Sequence, residues 1–403
     1  MPITGKDGIK RIQSIDLLRG IVITLMALDH VRMYFGEGTW YADPTNLATT
    51  TPLLFFTRWI THFCAPVFVF LAGTSAYLSG IKKSNTKEIS RFLLTRGLWL
   101  VFVELVIVNF AWTFDITYSY RILQVIWAIG ISMIALSALV FLPQQIILGV
   151  GLVLVIGHNL LDSISVSGNA FKDMVWYALH QHQFLILDSG NLDSGNVVNF
   201  VYPVLPWIGL MALGYVFGTL YKPDFDSTKR RKILLWTGLI ATSLFLILRG
   251  FNLYGEPNTW SEQSTTIYSV LSFLNTTKYP PSLHFLLMTI GPALIFLSVS
   301  EKVQSRILQP IITFGKVPFF FYIAHLYFIH LLASAFLVYQ GQGWDAYVIS
   351  AGEIMSGRLG RFGVRLDAVY VIWMVVIMML YPLCRWYQAY KEGHPEKRWL
   401  SYL

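Results

Sequence analysis

The residues with the most chemical potential in this chain lie in one stretch, SIDLLRGIVITLMALDH, where Asp16, Arg19, Asp29 and His30 interrupt an otherwise apolar run. At about 100° per residue, the eleven steps from Arg19 to His30 make three turns plus roughly 20°, so a helix carries both on one face, about 16 Å apart along its axis. Imidazole is the side chain best suited to move a proton near neutral pH, and an acidic neighbour such as Asp29 can orient the ring and raise its basicity. Asp29 and Arg32 are also spaced i, i+3 and can simply pair with one another. Ionisable groups inside an apolar span are expensive and mark function by default.

The other histidines share a bias. Of nine, His30, His62, His284 and His330 fall in the outer halves of predicted spans, His325 near mid-depth and His158 near an outer helix end. His180 and His182 fall in an outer loop, and only His394 is inside. Each also has a plain structural reading as a hydrogen-bonding link between helices. His62 follows Arg58 by four residues and shares its face. Tyr322 and His325 share a face, whereas His325 and His330 are about 140° apart and do not point at one centre from a straight helix. No HxxxH or HxxE spacing falls inside a span, so no metal is expected.

On the inner side Arg19, Arg91, Arg96, Arg306 and Lys316 gather at predicted helix entrances. They fit either topology and lipid headgroups or a site for the phosphates of a nucleotide-like donor, where Arg offers bidentate contacts. Glu104, inside the third span, calls for a partner, and an Arg of this cluster could be one.

The elements that must hold these residues are transmembrane helices. With 55% hydrophobic and 13% charged residues and a mean hydropathy of +0.56, the 403 residues read as one all-α, polytopic, membrane-embedded domain over 1–403. Ten spans are expected, near 15–35, 61–80, 92–112, 122–142, 146–161, 200–221, 233–250, 283–300, 317–338 and 366–388. The net charge of +8 sits in short clusters between these spans, which argues against nucleic acid as a partner. Nineteen of the thirty Lys and Arg fall in the proposed inner segments and nine in the outer ones, which places both termini in the cytoplasm. The first helix lacks a cleavage site and should remain as an anchor. Cys64 and Cys384 suggest neither a disulfide nor redox chemistry.

The outer connections 36–60, 162–199, 251–282 and 339–365 are long and aromatic, with amphipathic pieces such as AFKDMVWYALHQ. Loops of that length tend to be functional or disordered, and their aromatic content favours order. Pro66, Pro292 and Pro382 fall within apolar runs, where they kink helices. The small residues from Ala72 to Gly80 let another helix approach closely, so the second span should pack in the bundle centre.

The segments RIQSIDLLRGIVITLMALDH, FFTRWITHFCAPVFVFLAG, VLPWIGLMALGYVFG, TKYPPSLHFLLMTIGP and FGKVPFFFYIAHLYFIHLLA together resemble the heparan-alpha-glucosaminide N-acetyltransferase family of membrane acyltransferases, more closely its bacterial branch, over nearly the whole chain. The Arg19 and His30 pair is also similar to the first-helix pattern of the broader acyltransferase-3 proteins. The resemblance implies acetyl-CoA or another acyl-CoA as donor, with Arg19 assisting it and His30 near the transferring acyl group. His325 matches a family histidine near the end of the domain. The lysosomal branch carries Asn where His30 stands and places its catalytic His after the first span, where this chain has His62, so the working base is His30 or His62.

An inner-membrane acyltransferase follows as the expectation, with the lipid bilayer, acyl-CoA and an extracytoplasmic glycan or small acceptor as partners, and a homodimer by family analogy. Its rival is a proton-coupled transporter or lipid-handling protein using the same His and Arg residues. A non-catalytic scaffold leaves the polar residues inside the spans without a purpose.

Overall fold

The computed structural model describes residues 12–81, 83–166, 168–187, 196–303, 305–356, 363–397 and 399–400. Lys6, Lys10, Arg11, Lys82, Arg358, Arg361 and Arg398, used above in the charge count, lie outside the described residues. The chain begins with α1 (Gln13–Phe35), α2 (Pro52–Trp59), α3 (Cys64–Gly80), α4 (Thr86–Val103) and α5 (Asn109–Thr113). Strand β1 (Tyr120–Leu123) leads to α6 (Val125–Leu139), α7 (Gln144–Gly157) and α8 (Ala170–Leu179), and β2 (Gln183–Ile186) and β3 (Val197–Phe200) follow. The rest comprises α9 (Leu205–Phe217), α10 (Ser227–Gly250), α11 (Thr266–Leu274), α12 (Leu283–Ser300), α13 (Gln309–Lys316), α14 (Pro318–Tyr339), α15 (Ala351–Ser356) and α16 (Leu366–Gly393).

Each predicted span falls on a helical stretch. By length and composition, seven stretches are able to cross a membrane: Pro52–Gly80, Thr86–Thr113, Gln144–Leu161, Ser227–Gly250, Leu283–Ser300, Pro318–Tyr339 and Leu366–Gly393. Val125–Leu139 and Leu205–Tyr221 are apolar but shorter, and α1 carries Asp16, Arg19, Asp29 and Arg32. The chain is therefore a mostly helical membrane protein, but it is not wholly α. β3 pairs in parallel with β1 and antiparallel with β2, giving a small sheet in the order β1-β3-β2. Four-residue strands flanking helices leave no periodicity long enough to read.

Helix starts follow local chemistry. Thr51 accepts from Leu54 N ahead of Pro52, Asn85 from Glu88 N, Asp226 from Lys229 N and Ser282 from Phe285 N, each satisfying an amide that the helix leaves unpaired. Pro66 sits in the first turn of α3, after a short 3-10 turn over Ile60–Phe63, whereas Pro292 and Pro382 lie inside their helices. A π turn over Glu104–Val108 separates α4 from α5. Asn109 stabilises it by donating Nδ2 to Glu104 O at 2.7 Å and to Ile122 O at 3.1 Å, while accepting from Ile122 N at 2.6 Å. Glu104 finds no arginine among the described residues. Its Oε1 accepts from Gln124 N at 2.8 Å, at the N-terminus of α6, where helix amides favour an anion.

Helix α1 is the hub, packed on α3, α12, α13, α14 and α16. Lipid tails give no hydrophobic drive for helix association, so close backbone approach carries much of the packing. The tightest pairs meet through a glycine on each side: Gly20 with Gly315, Gly73 with Gly214, Gly97 with Gly130, and Gly238 with Gly291. A Cβ on Gly315 would lie 1.7 Å from Asp16 O, and one on Gly20 1.9 Å from Ile311 O. At the outer end, Arg249 is 1% exposed and donates to the carbonyls of Phe273, Asn258, Ser272 and Asn275 at 2.6–2.9 Å. This pins segment 251–282 to α10.

Gly315→Ala is expected to force α1 from α13 and to destabilise by at least the about 1–3 kcal/mol typical of overpacking. Gly149→Ala, where a Cβ meets nothing within 4 Å, should gain about 0.5–1 kcal/mol. Thermal unfolding of both variants in one nanodisc composition checks this, and equal melting would contradict the packing.

Candidate active site

Helix α1 brings Arg19 to one end of the bundle and Asp29, His30 and Arg32 toward the other. His30 is 8% exposed, and His325 on α14 is fully buried. Their rings are nearly coplanar, 10° apart, with His30 Nδ1 2.7 Å from His325 Nε2. His325 Nδ1 lies 2.9 Å from Phe321 O, an acceptor only, so Nδ1 of His325 carries the hydrogen and its Nε2 accepts. His30 Nδ1 is then the donor of the pair. The basic nitrogen of His30 is Nε2.

Asp29, adjacent in sequence, does not take the His30 ring as its hydrogen-bond partner. Arg32 Nη2 donates to Asp29 Oδ1 at 2.9 Å and Arg58 Nη1 donates to Oδ2. One carboxylate thus lies between two guanidinium groups, and α1 is tied to α2. Arg58 also reaches the Tyr279 hydroxyl at 3.5 Å.

His62 lies elsewhere. It packs against Phe285 at 5.3 Å, its Nδ1 has no hydrogen-bond partner among the described residues, and it lines neither of the cavities described next. His330 faces two backbone carbonyls, Ala111 O at 2.8 Å and Tyr347 O at 2.9 Å. His158 likewise faces Leu154 O, Val155 O and Pro281 O. These two rings link helices and loops.

Two cavities lie along α1, one toward His30 and one toward Arg19; they are called outer and inner after the orientation expected from the Lys and Arg distribution. The outer, of ≈ 420 Å³, is lined by Asp29, His30, Arg32, Arg58, Lys278 and many aromatic residues, including Trp40, Trp112, Tyr202 and Tyr279. The small sheet contributes Tyr120, Phe184 and Asn199 to its wall. Burial raises the Tyr279 phenol pKa, but Lys278 and Arg58 outweigh it and hold the phenol below its ordinary value. Burial holds the neighbouring His182 imidazole below its usual value, against a hydrogen bond with Asn199. Aromatic faces among scattered polar groups suit a polyhydroxylated ligand.

The inner cavity, of ≈ 740 Å³, has a largely apolar wall with Arg19, Lys83, Arg96 and Lys391 as its charged lining residues. Arg19 Nη2 donates to Leu71 O at 3.2 Å and to Ser75 Oγ, and Asp16 lies 3.8 Å away. Of the other basic residues singled out from sequence, Arg91 and Arg306 are exposed and Lys316 pairs with Glu392 at 3.7 Å; none of the three lines this cavity. Lys83 and Lys391 replace them. In the sequence they read only as topology charges. Met26, Val125 and Tyr322 line both cavities, so the two approach each other at these side chains, next to the His30 and His325 pair.

Asp29→Ala would leave two buried guanidinium groups facing each other. Breaking such a site typically costs about 3–5 kcal/mol, whereas Asp29→Asn keeps a hydrogen-bond acceptor and should cost less. Denaturation midpoints of the two variants check this order.

Residues 11–249 match the family model described as heparan-alpha-glucosaminide N-acetyltransferase, catalytic. No curated protein matches the chain. The matched region holds Arg19, Asp29, His30, Lys83, Arg96 and Trp112 and ends before Tyr322 and His325. With more than half its length matched, and with a bundle that places an imidazole where two cavities meet, the chain belongs to the heparan-alpha-glucosaminide N-acetyltransferase family.

Proposed function

We propose that the chain is a membrane-bound acyltransferase that moves an acyl group, acetyl in the first instance, from cytosolic acyl-CoA to a hydroxyl or amine of an extracytoplasmic glycan or small acceptor. The observation that carries this reading is the meeting of two chemically different cavities beside one hydrogen-bonded imidazole pair. The inner cavity suits acyl-CoA. Arg19, Lys83, Arg96 and Lys391 would face its phosphates, which favour Arg and Lys, and the apolar wall would take the pantetheine arm. The outer cavity suits a sugar.

In this reading His30 is the general base. Its Nε2 takes the acceptor's proton as the acceptor oxygen or nitrogen attacks the thioester carbonyl, while His325 holds the Nδ1 hydrogen and fixes the ring. Arg32 and Arg58 hold the Asp29 carboxylate in place, and that carboxylate offsets the positive field that Arg58 and Lys278 set against a transient imidazolium. Attack on the thioester by His30 itself, followed by transfer from the acylated imidazole, uses the same nitrogen. The lysine and arginine asymmetry supports both termini on the cytoplasmic side of a bacterial inner membrane, with ten segments crossing and residues 1–403 working as one unit.

Purified protein in nanodiscs should bind acetyl-CoA and release CoA slowly. His30→Ala is expected to keep acetyl-CoA affinity and lose about 10²–10⁴-fold in CoA release, while His62→Ala stays near wild type. Unchanged release by His30→Ala would remove it as the base. If acetyl-CoA and longer acyl-CoAs all fail to bind a folded sample, acyl transfer itself fails, and proton-dependent uptake by proteoliposomes without CoA would then favour a transporter.

A further inference from the structure

We infer that Tyr322 and Trp112 donate the hydrogen bonds that hold the thioester carbonyl oxygen as it becomes an oxyanion. This rests on the acyl-transfer reading and adds two catalytic residues to it. Tyr322 is 3% exposed and Trp112 5%, yet neither the Tyr322 hydroxyl nor the Trp112 indole N–H completes a hydrogen bond of good geometry among the described residues; the indole N–H reaches only toward the Tyr322 oxygen, which leaves the Tyr322 O–H hydrogen without an acceptor. A donor left unmet in such surroundings is costly. Both side chains line the outer cavity, and Tyr322 lines the inner one as well. Other buried donors, those of Trp207, Tyr221 and Tyr387, also lack partners, but they line neither cavity; the Trp40 indole N–H, which lines the outer cavity, is directed to Tyr347.

The two donors sit around the base. The Trp112 indole stands edge-on to the His30 ring, centroids 4.8 Å apart and planes 73° apart, and lies beside the Tyr322 hydroxyl. The Tyr322 ring packs across His325 at 5.6 Å. Trp112 reaches this place on α5, just after the π turn at Glu104–Val108. Such a turn inserts one residue into the helix, rotates everything after it, and is frequent at functional sites. Its backbone carbonyl is occupied by the Tyr34 hydroxyl at 2.7 Å, which fixes the segment while leaving the indole N–H open.

The step balances without any co-reactant. The acceptor's O or N forms a bond to the acyl carbon and gives its proton to His30 Nε2, and the carbonyl π pair moves onto oxygen between Tyr322 O–H and Trp112 N–H. When the C=O re-forms, the C–S bond breaks, and the CoA sulfur leaves with the proton from His30. Donors placed for the oxyanion rather than for the ground-state carbonyl are often the largest contribution to such a reaction.

The test uses the full chain in nanodiscs with acetyl-CoA, water serving as acceptor, and two inert analogues: the methyl ketone of acetyl-CoA and its trifluoromethyl ketone, which hydrates to a tetrahedral centre. Wild type should bind the trifluoromethyl ketone at least about tenfold more tightly than the methyl ketone, as transition-state mimics do. Tyr322→Phe, which removes one oxygen atom, should keep acetyl-CoA affinity, lose that preference and release CoA about 10²–10³-fold more slowly. Trp112→Phe should behave alike where it folds, and Tyr322→Phe decides where it does not. Full-rate release with an intact preference in Tyr322→Phe overturns the inference and leaves acyl transfer standing. Equal weakening of acetyl-CoA and both analogues marks a packing role and also overturns it. A wild type that neither binds nor turns over acetyl-CoA overturns both readings.

Discussion

The hydrogen bond between His30 Nδ1 and His325 Nε2, 2.7 Å long, is the interaction on which the arrangement of this molecule turns. Its net worth to stability is only about 0.5–1.5 kcal/mol. Its importance is informational. A backbone carbonyl, Phe321 O, decides which nitrogen of His325 carries hydrogen, that choice decides the tautomer of His30, and the basic nitrogen of His30 follows. The chain of consequences starts from a helix backbone, which cannot reorient without unwinding α14. The same bond ties the hub helix to α14 where Met26, Val125 and Tyr322 line both cavities.

Around that bond the structure solves an electrostatic problem at each end. Four charged side chains on α1 would be prohibitive against lipid, so α1 is enclosed by five other helices, and the glycine contacts let it be enclosed tightly. At the outer end Asp29 is shared by Arg32 and Arg58. At the inner end Arg19 is met by Asp16, Leu71 O and Ser75. Glu104 is held instead by the amide at the start of α6. Segment 251–282, fixed by the buried Arg249 and by Glu256, which accepts from Thr277 and Ser282, brings Lys278 and Tyr279 over the outer cavity.

Much of this could be read from the chain because it is local. The helical character of the apolar segments, the helix at AFKDMVWYALHQ and the Asp29–Arg32 pair all follow from composition or from i, i+3 spacing. What could not be read depends on residues far apart. His325 stands 295 positions from His30, and no periodicity links them. Adjacency makes Asp29 look like the ring's orienting neighbour, but an adjacent side chain on a helix points about 100° away. Lys83 and Lys391 come to the inner cavity from the ends of two helices far apart in the chain, so charge counting recorded them only as orientation signals. His62 and Arg58 were placed on one face by spacing, yet the 3-10 turn at Ile60–Phe63 alters that phase.

The wall shared by the two cavities has an electrical meaning. Where aqueous vestibules enter a membrane from both faces, most of the transmembrane voltage drops across the dry layer between them, at about 2.3 kcal/mol per elementary charge per 100 mV. Here Met26, Val125 and Tyr322 belong to the walls of both cavities, so the layer between them is thin there. A proton or phosphate crossing it would do work against nearly the full potential, whereas an acetyl group is uncharged and would do none. Under the proposed acyl transfer, a bundle built this way would hand a small neutral group through a concentrated field while remaining insulated against ions.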